Sequence, residues 1–149
     1  MWDYPRPPSI VTDAREIVVQ WDERTIASTR RSLRVLETAS PPGFYLPFAD
    51  VDHRYLEASA GRSACEWKGI ACYWTLRDGA DALPAVGWSY PDPLPGMEAL
   101  ADHIAFYPST LVCFVDGVRV RPQPGRFYGG WITPELVGPF KGNPGSEGW

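Results

Sequence analysis

Three side chains with chemical potential stand out in this chain: Glu37, Cys65 and Lys68. Glu37 follows Leu33 and Val35 at a spacing of two within Arg31 to Thr38, so a strand there puts all three on one face. A carboxylate on a core face must be paired, hydrogen-bonded or protonated. It then serves as a general acid or base, anchors a cationic or hydroxyl group of a ligand, or is a structural group bonded to Lys68, Tyr45 or backbone amides. Cys65 precedes Lys68 by three residues, and a turn or short helix would bring the ammonium close enough to favour a thiolate. That is a route to a nucleophile, weighed against a buried, inert thiol with no local His as base. Lys68 itself would bind an anionic group, pair with Glu37 or cap a strand end.

Flat apolar walls with hydrogen-bonding edges come from Tyr45, Trp67, Tyr73, Trp74, Trp88 and Tyr90. They suit a planar ring or a sugar face, although Trp74 reads better as core filling. Other candidates are weaker. Asp50-Val51-Asp52 has the spacing of a cation-binding pair but reads as a solvated turn. His103 falls at the end of an expected helix, where a cationic ring complements the dipole, and His53 lies in a charged loop. Arg34 falls opposite Leu33 and Val35 and reads as a surface arginine. The glycines at 129, 130, 138 and 142, with Lys141, allow close backbone approach, but match neither the phosphate-binding loop nor the dinucleotide fingerprint.

The elements that must position these groups are mostly strands. Glu16 to Trp21 and Thr25 to Ser28 flank a loop at Asp22-Glu23-Arg24; Leu111 to Val115 and Val118 to Arg121 flank Asp116-Gly117. Phe44 to Phe48 is extended after Pro41-Pro42-Gly43, and Ala49 to Ala60 is short and charged, with room for one helical turn. Gly69 to Leu76 has a central strand's pattern, with Ile70, Cys72, Trp74 and Leu76 on one face, followed by a turn at Asp78-Gly79. Val86 to Tyr90 is a further strand, stopped by Pro91, Pro93 and Pro95. Met97, Leu100, Ala101 and Ile104 recur at helical spacing and predict one short helix from about Met97 to His103.

Residues 1–15 read as an extended arm whose Trp2 and Tyr4 would dock on the body or on a second copy, the latter making a homodimer. Residues 16–149 read as a single β domain, closed by an ordered, irregular segment rich in Gly and Pro that carries Phe127, Tyr128, Trp131, Ile132, Phe140 and Trp149.

With 149 residues the chain has the commonest size for one domain, and its 16 Pro, 14 Gly and 13% aromatic residues favour strands and turns over helical bundles. A net charge of −4 offers no broad positive field, so nucleic acid is excluded as the expected partner. Cys65, Cys72 and Cys113 form no Cys-x-x-Cys pair, so no metal and no other cofactor is expected. No apolar run reaches the length of a membrane span, and no signal segment is evident. The compartment indicated is the reducing cytoplasm.

Ser63-Ala64-Cys65-Glu66-Trp67-Lys68-Gly69, Trp88-Ser89-Tyr90-Pro91 and the run GGWITPELVGPFKGNPGSEGW from Gly129 to Trp149 together carry a resemblance. With Arg34 to Glu37, Tyr45-Leu46-Pro47 and Ile104 to Tyr107, the sequence resembles the domain of unknown function 427 family of small, mostly bacterial proteins. One departure is Glu66, where the family pattern commonly has proline. The resemblance implies a mainly β, tent-like fold of the Mss4 type, with two leaning antiparallel sheets over a cleft. Zinc, which relatives of that architecture hold through two Cys-x-x-Cys pairs, is not implied for a chain with neither.

The leading expectation is an uncharacterised small-molecule-binding domain, with or without catalysis. Its cleft would surround a buried Glu37, with Tyr45, Cys65, Trp67, Lys68, Trp88 and Tyr90 as its lining. One alternative is a nucleotidyltransferase, a label associated with the family; Leu46-Pro47-Phe48 before Asp50-Val51-Asp52 lacks the Gly-Gly or Gly-Ser turn such enzymes usually show. The other is a non-catalytic protein-interaction or structural module.

Overall fold

The computed structural model describes Tyr4 and residues 8–37, 41–65, 67–124 and 129–136. Thirteen strands follow in chain order: β1 Ser9–Asp13, β2 Ile17–Trp21, β3 Arg24–Thr29, β4 Ser32–Leu36, β5 Gly43–Pro47, β6 Leu56–Cys65 and β7 Gly69–Asp78, then β8 Asp81–Ser89, β9 His103–Phe106, β10 Val112–Val115, β11 Val118–Arg119, β12 Arg121–Pro122 and β13 Trp131–Ile132. The hairpins form where turn chemistry demands them. Asp116 and Gly117 both have positive φ (48° and 78°), the mirror-image turn whose twist matches that of the flanking strands. Asp22, at φ 51°, uses the tolerance of Asp for the left-handed region between β2 and β3.

Every pairing is antiparallel. A seven-stranded sheet runs in the order β1-β4-β5-β9-β8-β7-β6, a four-stranded sheet in the order β11-β10-β2-β3, and β12 pairs with β13 alone. The larger sheet closes through a long-range pairing, Leu46 opposite Ile104, with Ile104 also opposite Ser89.

Strand alternation gives the larger sheet two different faces. Phe44 and Leu46 of β5, with Ile104 and Phe106 of β9, point into the main core, where Ile17, Val19, Ile26 and Cys113 of the four-stranded sheet meet them. Tyr45 and Ala105, the residues between, point the other way into a second cluster with Val35, Trp88, Tyr90, Met97 and Leu100. Trp131 seals the main core: its ring stacks on Phe44 at 4.9 Å and its Nε1 donates to the Phe106 carbonyl at 3.0 Å.

Several expectations are corrected. The helix expected over Met97 to His103 is a single 3₁₀ turn, Glu98–Leu100, and His103 opens β9 by pairing with Pro47. Two turns of sequence are too few to sustain a helix against strand pairing, although Met97 and Leu100 are buried all the same. The stretch from Ala49 to Ala60 holds two 3₁₀ turns, Phe48–Asp50 and His53–Tyr55, and then enters β6. That strand was hidden because LEASAGRSAC is small and polar, as an edge strand tolerates. In β7 both faces are used: Trp74 and Leu76 pack on the main core, as the face of large residues suggested, Ala71 and Tyr73 pack on the second cluster, and Ile70, at the start of the large-residue face, is exposed.

Ser9–Asp13, within the expected arm, is an edge strand on β4. Trp2, Phe127, Tyr128, Phe140 and Trp149 lie outside the described residues. Among the described residues no helix is long and apolar enough to cross a membrane.

Candidate functional site

A cavity of about 300 Å³ opens on the face of the larger sheet that carries the second cluster. Its floor is β5 and β7, through Tyr45, Ala71 and Tyr73; its far wall is Trp88, Tyr90 and Tyr107. Glu37 reaches it from the end of β4, and Cys65 and Lys68 from the β6–β7 connection. Cys65 pairs with Gly69 across that connection, which carries Lys68 back beside the cysteine. Gly69 sits at φ 117°, and a Cβ there would lie 3.2 Å from the Asp92 carbonyl, so the turn requires glycine. The Lys68 carbonyl accepts from Leu94 N at 3.0 Å and fixes the turn from the other side.

Lys68 is the hub. Its Nζ donates to Glu37 Oε1 in a short ion pair and to Cys65 Sγ at 3.7 Å. The depth of the pair differs from expectation: the lysine side chain is 8% exposed, whereas that of Glu37 is 33% exposed. Alternation put Glu37 on the correct face, since Leu33 and Val35 belong to the same cluster, but β4 stops at Leu36 and the carboxylate emerges at the cavity rim. Burial pulls the Lys68 ammonium down, yet the Glu37 charge, the sulfur of Cys65 and the Glu37 hydrogen bond outweigh it and leave the lysine above its ordinary value. The cavity therefore holds a fixed ammonium at neutral pH.

The aromatic lining is hydrogen-bonded internally. Trp88 Nε1 donates to the Tyr45 hydroxyl at 3.2 Å, and the Ser63 and Tyr73 hydroxyls are joined at 2.6 Å. Trp88 and Tyr107 face each other at 4.5 Å with an interplanar angle of 44°. Burial pushes the hydroxyls of Tyr45 and Tyr90 well above the ordinary tyrosine range, and that of Tyr107 up to about 12, so all three stay neutral donors and acceptors. Trp67, 38% exposed, stands at the mouth. Gly129 packs so close to Trp88 that an added Cβ would fall 2.1 Å from the indole.

The seven residues of the expected cleft, Glu37, Tyr45, Cys65, Trp67, Lys68, Trp88 and Tyr90, line this one cavity, and so does Tyr73, named with the flat aromatic walls. Tyr107, Ser63, Ala71, Gly43, Pro41 and Gln123 line it too and were not singled out. Tyr107 was within reach, because Ile104 to Tyr107 carried part of the resemblance. Trp74 belongs elsewhere: it packs on the main core against Phe48 and donates from Nε1 to Ser89 Oγ at 2.9 Å.

The remaining candidates lie apart. Asp50 accepts from Thr29 and Arg31, and Asp52 from Arg54, so arginines occupy both carboxylates of the expected acidic pair. Arg34 is not a free surface cation but pairs with buried Asp13 at 3.1 Å. His53 Nε2 lies 2.7 Å from the Phe48 carbonyl, and His103, half-buried, is held below its ordinary value by desolvation. Cys113 is buried in the main core, which pushes its thiol up, and Cys72 sits half-buried on β7. Among the described residues no three His, Cys, Asp or Glu side chains converge as a metal site. Glu66, Gly138, Lys141 and Gly142 lie outside the described residues.

No curated protein matches the chain. Residues 9–121 match a family described as a domain of unknown function (DUF427). The match spans β1 to β11 and every singled-out cavity residue, and covers well over half of the sequence. The chain is a member of the DUF427 family.

Proposed function

We propose that this protein binds a compact, uncharged, ring-containing small molecule in the cavity around Lys68. The observation that carries the reading is a buried ammonium, already paired with Glu37, on the wall of a cavity that opens to solvent. Charge is expensive to desolvate, and folding alone is served as well by apolar side chains of similar volume. An ion pair that runs from the wall to the rim of an aromatic-lined cavity is suited to orienting a ligand's polar edge while Trp88, Tyr107 and Trp67 cover its flat faces.

Size and charge narrow the ligand. About 300 Å³ is at the small end for ligand sites, which suits a single ring system. Among the described lining residues Lys68 and Glu37 are the charged ones, and they cancel, so a strongly anionic ligand would meet no uncompensated cation. This counts against nucleotidyl transfer, as does the engagement of Asp50 and Asp52 by arginines.

The test is a thermal-shift and tryptophan-fluorescence titration with benzamide, phenol and pyranose probes, beside ATP with Mg²⁺. Saturable quenching and a raised Tm with a neutral ring probe, abolished by Ala64→Trp at the exposed rim of the cavity, is the expected result. Binding of ATP–Mg²⁺ with no response to any neutral ring would overturn it, and so would silence across the whole panel.

A further inference from the structure

We infer that the cavity is an acyl-transfer site in which Cys65 attacks the carbonyl carbon of an uncharged ester or amide carrying a flat ring, with Lys68 and Glu37 as its proton relay. This rests on the binding reading above and names its substrate class.

The geometry supports a relay rather than a static salt bridge. Lys68 Nζ lies between two acceptors, Glu37 Oε1 and Cys65 Sγ, and an ammonium has three donors, which leaves one for a ligand oxygen. Glu37 reaches the thiol through the lysine, so it acts as a positioning residue and proton sink. The one-third exposure of its side chain lets it exchange protons with water at the cavity mouth. Around the sulfur, Tyr45 and Tyr90 carry neutral hydroxyls, and Trp88 and Tyr107 offer an aromatic wall for the ring.

The steps balance without an outside oxidant or reductant. As Nζ passes a proton to the Glu37 carboxylate it takes the thiol proton, leaving a thiolate beside an ammonium. The sulfur lone pair forms a C–S bond with the acyl carbon, and the carbonyl π pair moves onto oxygen, where the third Nζ donor and a tyrosine hydroxyl stabilise it. Collapse restores the carbonyl, breaks the bond to the leaving oxygen or nitrogen, and returns the proton from Glu37 through Lys68 to the leaving group. Water then cleaves the thioester, giving a carboxylic acid and the free thiol.

Charge neutrality of the lining selects substrates that are themselves neutral, and Cys72 supplies an internal comparison. It is half-exposed like Cys65, but it lies on β7 between the cavity-lining residues Ala71 and Tyr73, so its side chain projects from the opposite face.

The experiment is acylation of the intact protein by p-nitrophenyl acetate, followed by nitrophenolate release and by mapping of the acetylated cysteine, with benzamide as competitor. Expected is a stoichiometric burst with the acetyl group on Cys65 at least about tenfold faster than on Cys72, slowed by benzamide and lost in Cys65→Ser. Glu37→Gln should slow the burst about a hundredfold and flatten its pH profile, and Glu37→Asp should restore much of it. A merely structural carboxylate would not give that profile change and rescue. Equal labelling of Cys65 and Cys72, or a burst indifferent to Glu37→Gln, overturns the inference; if benzamide still shifts the Tm, the binding reading survives alone. If no neutral ring probe, benzamide, phenol or pyranose, shifts the Tm, both readings are overturned.

Discussion

The two faces of the seven-stranded sheet are built from adjacent residues of the same strands, yet they are made for different ends. In β5, Phe44 and Leu46 enter a closed apolar core and Tyr45, between them, enters the cavity; in β9, Ile104 and Phe106 flank Ala105 in the same way. The closed face is covered by a second sheet and capped by Trp131. The other is left partly open, with hydroxyls, an indole N–H and an ion pair where packing would favour hydrocarbon. One strand thus carries stability on its even positions and chemistry on its odd ones. A substitution should therefore act on fold or on site according to its parity.

The largest effect belongs to the closed face. Phe44→Ala removes a ring that is 1% exposed and stacked on Trp131, and should cost about 3–5 kcal/mol in urea unfolding. On the open face the expected costs are smaller. Glu37→Gln leaves a buried ammonium with a weaker acceptor and should cost about 2 kcal/mol, because the carboxylate it replaces is partly hydrated. Lys68→Met removes the buried charge itself and should cost under about 1 kcal/mol, since the remaining carboxylate can turn to water. Equal costs for Phe44→Ala and Glu37→Gln would erase the distinction between the faces.

How much of this was legible depends on whether the signal was local. Turn chemistry is local, so the hairpins at Asp22 and at Asp116-Gly117 were readable, and so was the turn that sets Lys68 beside Cys65. Parity is local as well, and it put Glu37 on the cavity face. Its depth was not readable, because that depends on where β4 ends and on what covers the rim. Tyr107 reaches the cavity through the insertion of β9 between β5 and β8, a pairing that joins residues far apart in sequence. The helical spacing of Met97, Leu100 and Ile104 misled because two of them fill the second cluster from a 3₁₀ turn, while Ile104 fills the main core from a strand.

The open face should also be the weaker one in alkali. Tyr45 and Tyr90 are raised above an ordinary value of 10.0, chiefly by burial, and Lys68 is raised above 10.5 against its own burial by Glu37. Groups raised in the folded state hold their protons more tightly there than in the unfolded chain. Their contribution is complete below the unfolded values and is lost as pH rises past them. The Tm should therefore fall above about pH 10. Tyr45→Phe should cost about 1 kcal/mol at neutral pH by removing the Trp88 acceptor, and its alkaline decline should be shallower than wild type. An identical decline would mean that the cavity hydroxyls ionise as freely as exposed ones.

A charged cluster away from the cavity provides the smallest effect and a control for the others. Asp13, at the end of edge strand β1, is pushed up by burial, but Arg15, through side-chain and backbone hydrogen bonds, and the charge of Arg34 together hold it below its ordinary 3.8. A depressed carboxylate stabilises the fold above its unfolded value, and that contribution is lost as pH falls through its lower folded value. Asp13→Asn should lower the neutral Tm by the equivalent of about 1 kcal/mol or less and flatten the acid limb below about pH 4. Tryptophan quenching by a ring probe should be unchanged in that variant, because Asp13 does not line the cavity. Were Asp13→Asn to weaken probe binding as much as Glu37→Gln, the cavity's charge pair would hold no special place among the molecule's ion pairs.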